Sequence, residues 1–134
     1  MAGDRSTDET GVVTKLSPLP VAATVTRLTR IIGEHGLKLF AVIDQAAEAR
    51  AAGLELREMT LVVFGSPAAG TPVMAAVPLA ALDMPLKILI WADNGQTKVS
   101  YDSPAALAVR RHLTDALAAR LAGIDPLTDA LVAA

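Results

Sequence analysis

The chain has 134 residues, the size of one compact domain, and 52% of them are hydrophobic but only 3% aromatic, so an aliphatic core is expected. Its 12 basic residues are scattered among 14 acidic ones, which argues against nucleic-acid binding. The absence of cysteine excludes disulfides and thiolate metal sites and agrees with a reducing compartment. Prolines and charges interrupt the apolar region from Pro72 to Trp91, so no membrane-spanning helix is expected.

Residues 1–10 are polar and predict a disordered tail, and residues 11–134 are predicted to form one α+β domain. Because no signal-peptide-like apolar segment follows the tail, a cytoplasmic location is expected. The β-branched segment Val12–Leu16 predicts a first strand. A helix between Pro20 and Gly36 is predicted next, since apolar residues recur there at helical spacing.

The middle of the chain predicts two further strands, Leu37–Ile43 and Glu58–Phe64. Asp44 stands where it would cap a short Ala-rich helix that starts at Gln45. Beyond the second of these strands, Thr71 and Pro72 are interpreted as the cap and first residue of a helix that runs to Val77.

The last part of the chain predicts a hairpin, because Asn94-Gly95 lies between the apolar segments Leu86–Ala92 and Thr97–Tyr101. Ser103-Pro104 predicts the start of a helix, and Asp125-Pro126 the start of a last short one. The order of elements predicts a single, mainly antiparallel five-stranded sheet that is backed by helices.

The central strands are apolar on both faces of this predicted sheet. Leu61 and Val63 alternate with Val62 and Phe64, which are also apolar. The strands of a sheet with one solvent-exposed face should instead alternate apolar and polar residues. Too few residues remain for a second full helical layer, so a second copy of the chain is the expected cover. The predicted partner is therefore the chain itself, in a homodimer.

Residues 65–70, GSPAAG, have the glycine spacing of a phosphate loop that follows a strand and opens a helix. The next residues are Thr71 and Pro72 instead of Lys and Ser or Thr, so nucleotide hydrolysis is not expected. A contact to an anion or small ligand at the helix start, or a plain turn, both stay open.

Catalytic and metal chemistry find little support in the sequence. Ser66 lacks the glycine two positions later that a nucleophile elbow needs, and only two histidines are present, so neither a hydrolase triad nor a metal site is expected. Asp44, Asp83, Tyr101 and His112 are the possible acid–base groups, but a cap, a turn, a strand end and a helix surface explain them as well. No cofactor is predicted.

The chain resembles the domain-of-unknown-function 302 family from about Val12 to Leu113. The resemblance rests on four motifs in order, which are GLELR at residues 53–57, FG-P-AGTP-M at 64–74, ALD-PLK-L-W at 81–91 and Tyr101 with Asp102. It implies a TATA-binding-protein-like fold of the type β-α-β(4)-α and a homodimer, and it assigns no activity. Gln45 and Ser66 stand where members commonly carry His and Asn, which weakens metal or acid–base chemistry more than ligand binding.

The function expected from the sequence is that of a cytoplasmic, non-catalytic module that binds a small ligand or serves as an accessory or sensing domain. A small enzyme with proton transfer near Asp44 and Tyr101, and a scaffold domain without a pocket, are the alternatives. No nucleic acid and no membrane are expected as partners. The residues predicted to form a ligand pocket are Asp44, Gln45, Gly65, Ser66, Thr71, Met74, Trp91 and Tyr101.

Overall fold

The computed structural model describes residues 5–134. The strands are β1 (Arg5–Thr7), β2 (Val12–Ser17), β3 (Lys38–Asp44), β4 (Met59–Gly65), β5 (Leu86–Asp93) and β6 (Gln96–Asp102). The α-helices are α1 (Val21–Glu34), α2 (Gln45–Ala51), α3 (Pro67–Ala76), α4 (Pro104–Arg111), α5 (Asp115–Ala119) and α6 (Ile124–Val132), and a 3-10 helix covers Pro78–Asp83. The predicted α+β class with one antiparallel sheet and helical backing is confirmed.

The sheet has six strands in the order β1-β2-β6-β5-β4-β3, so the prediction of five strands was wrong. The additional strand is β1, which lies within the predicted tail and pairs antiparallel with β2. Arg5 lies opposite Lys15, and Thr7 lies opposite Val13. Its three residues are polar and exposed, so no hydrophobic alternation marks them as a strand. Backbone pairing with the edge of the sheet orders them instead. Residues 1–4 of the predicted tail lie outside the described residues.

The start of α3 also differs from the sequence interpretation. Ser66, not Thr71, caps this helix, because its Oγ accepts a hydrogen bond from the backbone N–H of Ala69 at 3.2 Å. Pro67 then occupies the first turn, where a missing N–H costs nothing. Pro72 consequently lies inside the helix instead of at its start.

The main core lies between one face of the sheet and the two helices α1 and α6. Fully buried side chains from the sheet meet the apolar face of α1 and the last helix there. The principal members are Val62, Ile88, Ile90, Val99, Leu28, Ile32 and Leu131. The helical spacing of the α1 residues and the two-residue alternation along the strands both direct these side chains to one layer.

The opposite face of the sheet is also apolar but less protected. Leu61, Val63 and Leu89 point away from the α1–α6 layer and are only half-buried. We call this surface, together with Trp91 on the same face of β5, the open face.

A second, smaller core joins α3, the 3-10 helix, α4 and α5 at one end of the domain, around Val73 and Leu107. Asp83 fixes this region by accepting hydrogen bonds from Arg111 Nε at 2.7 Å and Arg110 Nη1 at 3.1 Å. Burial alone would raise the pKa of Asp83, but the two arginines outweigh it and hold that pKa below its ordinary value. Asp83 is thus a structural ion-pair residue.

Candidate functional site

A cavity of about 560 Å³ lies between α3, the end of α1, the start of α6 and the adjoining ends of β4 and β5. We call it the α3 pocket. Its volume falls within the range of small-molecule sites, and its lining is mainly apolar. The larger apolar side chains in that lining include Leu37, Phe40, Phe64, Met74, Met84 and Leu127.

Local sequence explains why the wall formed by α3 is so open. Ser66 follows the end of β4 and caps α3, and Gly70 then leaves a gap one turn into the helix. A Cβ at Gly70 would meet only the methyl group of Met74, at 3.9 Å. The absence of a side chain at this helical position therefore contributes to the volume of the pocket.

Two residues that the sequence did not suggest bring polar groups to the α3 pocket. His35 follows the end of α1, and its Nδ1 donates a hydrogen bond to the carbonyl of Ile31 at 2.8 Å, which leaves Nε2 available. Arg120 comes from the end of α5 and is exposed. Neither is close in sequence to Ser66, so no spacing rule could have grouped them.

The eight residues predicted to form one pocket fall into separate places. Four of them line the α3 pocket, which are Gly65, Ser66, Thr71 and Met74. Asp44 is exposed and caps α2, where its Oδ1 accepts from the N–H of Ala47 at 2.9 Å, and Gln45 begins that helix. The structure does not place either residue in the lining of the α3 pocket.

Trp91 lies on the open face and not in the α3 pocket. Its Nε1 donates to Ser100 Oγ at 3.0 Å, and the cations of Lys98 and Arg57 lie 5.3 and 5.9 Å from its ring centroid. Asp93 binds both cations, at 2.8 Å from Lys98 and 3.3 Å from Arg57. These contacts hold the indole ring against the sheet.

Tyr101 belongs to a polar cluster beneath α6 that the sequence did not suggest. Its hydroxyl donates to Asp125 Oδ1 at 2.5 Å, and Lys15 Nζ lies 5.3 Å from the centre of its ring. Lys15 is only 2% exposed and bonds to Thr128 Oγ1 at 2.6 Å and Asp129 Oδ1 at 2.8 Å. We call these residues, from β2, β6 and α6, the Lys15 cluster.

A groove of about 1310 Å³ passes beside the Lys15 cluster, between β1, β2, the β5–β6 turn and the end of α6. The ammonium of Lys15 already makes three close polar contacts, the third to the carbonyl of Asp125 at 3.1 Å. An ammonium has three donors, so none is left for a ligand. The α3 pocket is for this reason the better candidate site.

Burial and, to a smaller extent, the hydrogen bond to Asp125 raise the pKa of Tyr101 well above its ordinary value near 10. The unfolded chain would release this proton first, so the folded state loses stability as the pH rises through about 10. We expect Tyr101→Phe to remove up to about 1 kcal/mol of the alkaline loss between about pH 9 and pH 11. Urea unfolding across this range measures the difference, and equal losses in both proteins would contradict the assignment.

Because the chain has one tyrosine, a second measurement reads the same group directly. The ultraviolet absorbance of tyrosinate in the folded protein should appear only at a pH well above that of the urea-unfolded chain. Superimposable titration curves would mean that the hydroxyl is not held by Asp125.

The described part of the chain contains neither a metal-binding cluster nor a membrane-spanning helix. Among residues 5–134, no three side chains of His, Asp or Glu lie close enough together to hold a metal ion. None of the helices in that range has both the length and the apolar character that crossing a membrane requires.

A single antiparallel sheet, a two-helix layer on one face and a pocket at the helix-rich end define a small α+β domain with a candidate ligand site. The family model "Domain of unknown function DUF302" matches residues 13–131, and the chain belongs to this family. The crystal structure of an uncharacterized conserved DUF302 protein from Bacillus stearothermophilus has a similar fold, with a TM-score of 0.78 at 20% identity. The match covers 91% of this chain and 95% of that one.

The chain is also similar to curated proteins that carry a functional name. The fluoride-specific ion channel FluC 1 of Brucella suis is 35% identical over 106 residues, which is 78% of this chain and 42% of that protein. FluC 1 of Brucella abortus matches with the same identity over 39% of its length. The chain thus spans about two fifths of the length of these relatives.

Proposed function

We propose that this DUF302 domain is a non-catalytic module that binds a small, largely apolar ligand in the α3 pocket and acts as an accessory or sensing domain. The observation that carries the proposal is the pocket itself, a cavity of about 560 Å³ with an apolar lining and a few polar groups. This combination is typical of small-molecule sites, where apolar walls supply affinity and sparse polar groups fix orientation.

The two alternatives receive less support from the geometry. Asp44 and Tyr101 lie on β3 and β6, with β5 and β4 between them. Since neighbouring strands are about 4.8 Å apart, the two residues are separated by roughly 15 Å, too far for direct proton transfer. A scaffold domain without a pocket is disfavoured by the cavity beside α3.

The relatives named as fluoride channels bear on the accessory part of the proposal. This chain matches only about two fifths of their length, so the match does not carry the activity of the whole relatives. We therefore propose an accessory role for it and no transport activity of its own.

We also propose a cytoplasmic location, with which the absence of cysteine is consistent.

Filling the pocket tests the proposal. Gly70→Leu should project a side chain into the space beside Met74 and reduce the affinity for the neutral apolar dye Nile red at least tenfold. The change should not unfold the protein, because Gly70 lies in a helix and leucine is a better helix former. Fluorescence titration measures the affinity, and thermal unfolding verifies that the variant is folded.

Gly33→Leu is the matched control for this experiment. Gly33 lies in α1, is exposed, and would place its Cβ in open space. We expect this variant to bind the dye like the wild type. Equal dye affinity in all three proteins, or no dye binding by the wild type, would refute the proposed pocket.

We further propose that the chain pairs with a second copy through the open face, in a homodimer with a TATA-binding-protein-like fold. Support for pairing comes from Leu61, Val63 and Leu89, which form a half-buried apolar surface opposite the helix layer. Lys98 and Asp93 beside it carry opposite charges, which suits a surface that must complement itself. The single sheet with α1 and α6 on one face is consistent with the proposed fold type.

Leu89→Lys should weaken the dimer at least tenfold, because it would bring two like charges to the centre of the paired faces. Sedimentation velocity over a range of protein concentrations measures this, with Leu79→Lys as control. Leu79 is 67% exposed in the 3-10 helix, away from the open face, and should leave the assembly unchanged. A wild-type protein that stays monomeric at every concentration would rule out the proposed pairing.

A further inference from the structure

Among residues 5–134, the α3 pocket is lined by one guanidinium and one imidazole but by no carboxylate. None of the acidic residues between positions 5 and 134 is among those that line it, whereas Arg120 and His35 both are. An apolar cavity with a guanidinium at its border differs in character from the groove beside Lys15, whose lining includes Glu58 and Asp129.

Arg120 is available for a ligand, unlike the three arginines that aspartates hold in close ion pairs. Arg57, Arg110 and Arg111 are each paired with an aspartate within 3.3 Å. Arg120 makes no ion pair with any residue between 5 and 134, although its side chain borders the pocket. A guanidinium in that position can bind a carboxylate or phosphate with two parallel hydrogen bonds.

Ser66, which also lines the pocket, has an unused donor. Ser66 Oγ accepts from Ala69 N–H, so its hydroxyl proton remains free to donate. The pocket is also bordered by the first residues of two helices, α3 and α6, whose N-terminal ends favour negative charge. The C-terminal end of α1 also borders the pocket and carries partial negative charge on its carbonyl groups. His35 offsets part of this charge, because its backbone N–H and its Nδ1 both donate to the carbonyl of Ile31.

We propose that the α3 pocket takes an amphiphile with an apolar chain and a single anionic head group, the chain lying against Phe64 and Met74 and the head group at Arg120 and Ser66. This inference rests on the proposed function and adds the chemical class of the ligand. The head group is recognised as an anion, and carboxylate and phosphate esters are its two possible sources.

Four probes with the same ten-carbon chain separate charge from chain, namely decanoate, decyl phosphate, 1-decanol and decyltrimethylammonium. Below their micelle-forming concentrations, competition against Nile red gives their relative affinities. An anionic probe should bind wild-type protein at least tenfold more tightly than 1-decanol, and the cationic probe should bind most weakly. The tighter of the two anions identifies the preferred head group.

Arg120→Gln should lower the affinity for the preferred anion about tenfold and leave 1-decanol unchanged, and Arg120→Lys should restore part of the loss. The matched control is Arg30→Gln, because Arg30 is an exposed residue of α1 outside the pocket. If 1-decanol binds in a manner that Gly70→Leu abolishes but the anions bind no better, the ligand class is refuted and the proposed pocket stands. If no probe displaces a dye whose binding Gly70→Leu abolishes, the ligand class is again refuted and the pocket stands, whereas dye binding that Gly70→Leu leaves unchanged refutes both proposals.

Discussion

Gly11→Ala should be among the most destabilising single-methyl substitutions in the chain, with an expected loss of about 3 kcal/mol in the free energy of unfolding. Two effects combine at this position. Gly11 has φ +87°, a conformation that costs an L-residue about 1 kcal/mol or more. In addition, a Cβ here would overlap with the Cβ of Ala106 in α4.

The overlap matters because Gly11 is the point at which the sheet meets the helical end of the domain. Its carbonyl accepts a hydrogen bond from the N–H of Ser103 at 2.9 Å, directly before α4 begins. Backbone atoms on both sides are therefore fixed, and the added methyl group cannot be accommodated by a side-chain rotation. Chemical denaturation with urea gives the loss.

Gly53→Ala is the matched control, since Gly53 has a similar φ of +79° but nothing within 4 Å of its Cβ position. It should cost only about 1 kcal/mol, which is the conformational part alone. Adding Ala106→Gly to Gly11→Ala should recover part of the loss, because the overlap is removed. Equal costs at Gly11 and Gly53, or no recovery in the double variant, would contradict the close approach of α4 to this turn.

Lys15→Ala should lower the free energy of unfolding by about 3 kcal/mol, whereas Lys15→Met should lower it by about 1 kcal/mol or less. The aliphatic stem of Lys15 is buried among Tyr101 and the residues of α6, so truncation leaves a cavity. Methionine keeps most of that volume. The groups that bind the Lys15 ammonium keep other hydrogen-bond partners in the Lys15→Met variant. Thr128 Oγ1 also donates to the carbonyl of Ile124, and Asp129 is largely exposed to water.

The comparison between the two substitutions separates packing from charge in the Lys15 cluster. Lys38→Ala serves as the surface control, because Lys38 is exposed on β3 and should cost no more than about 0.5 kcal/mol. If Lys15→Met were as damaging as Lys15→Ala, the ammonium contacts and not the stem would stabilise this layer. Urea denaturation of the four proteins at neutral pH decides between the two.

The parts of the fold that the sequence predicts well are those with strong local signals. The α1 pattern predicts the helix because its apolar residues recur at 3.6-residue spacing and meet one core. Asn94-Gly95 predicts the hairpin because both residues adopt positive φ, at 50° and 82°, which most other residues avoid. The Asp44 cap likewise depends only on neighbours within three residues.

The parts that the sequence does not predict depend on contacts between distant segments. Lysine side chains are rarely buried unless they are paired, and only α6, more than 100 residues later, supplies the acceptors that allow the burial of Lys15. Four of the eight residues predicted for a ligand pocket, Gly65, Ser66, Thr71 and Met74, lie together in the lining of the α3 pocket because they are close along the chain. His35 and Arg120 reach it from other helices, so their contribution appears only in three dimensions.

The central claim is that a ligand occupies the α3 pocket, and the methionine methyl groups report on it most directly. Met74 and Met84 line the pocket, whereas Met59 lies on β4, opposite Trp91 and outside it. In NMR spectra of protein with isotope-labelled methionine methyl groups, titration with decanoate should shift the signals of Met74 and Met84 and leave that of Met59 in place. A titration in which the Met59 signal moves while those of Met74 and Met84 stay fixed would place the binding surface elsewhere and contradict the claim.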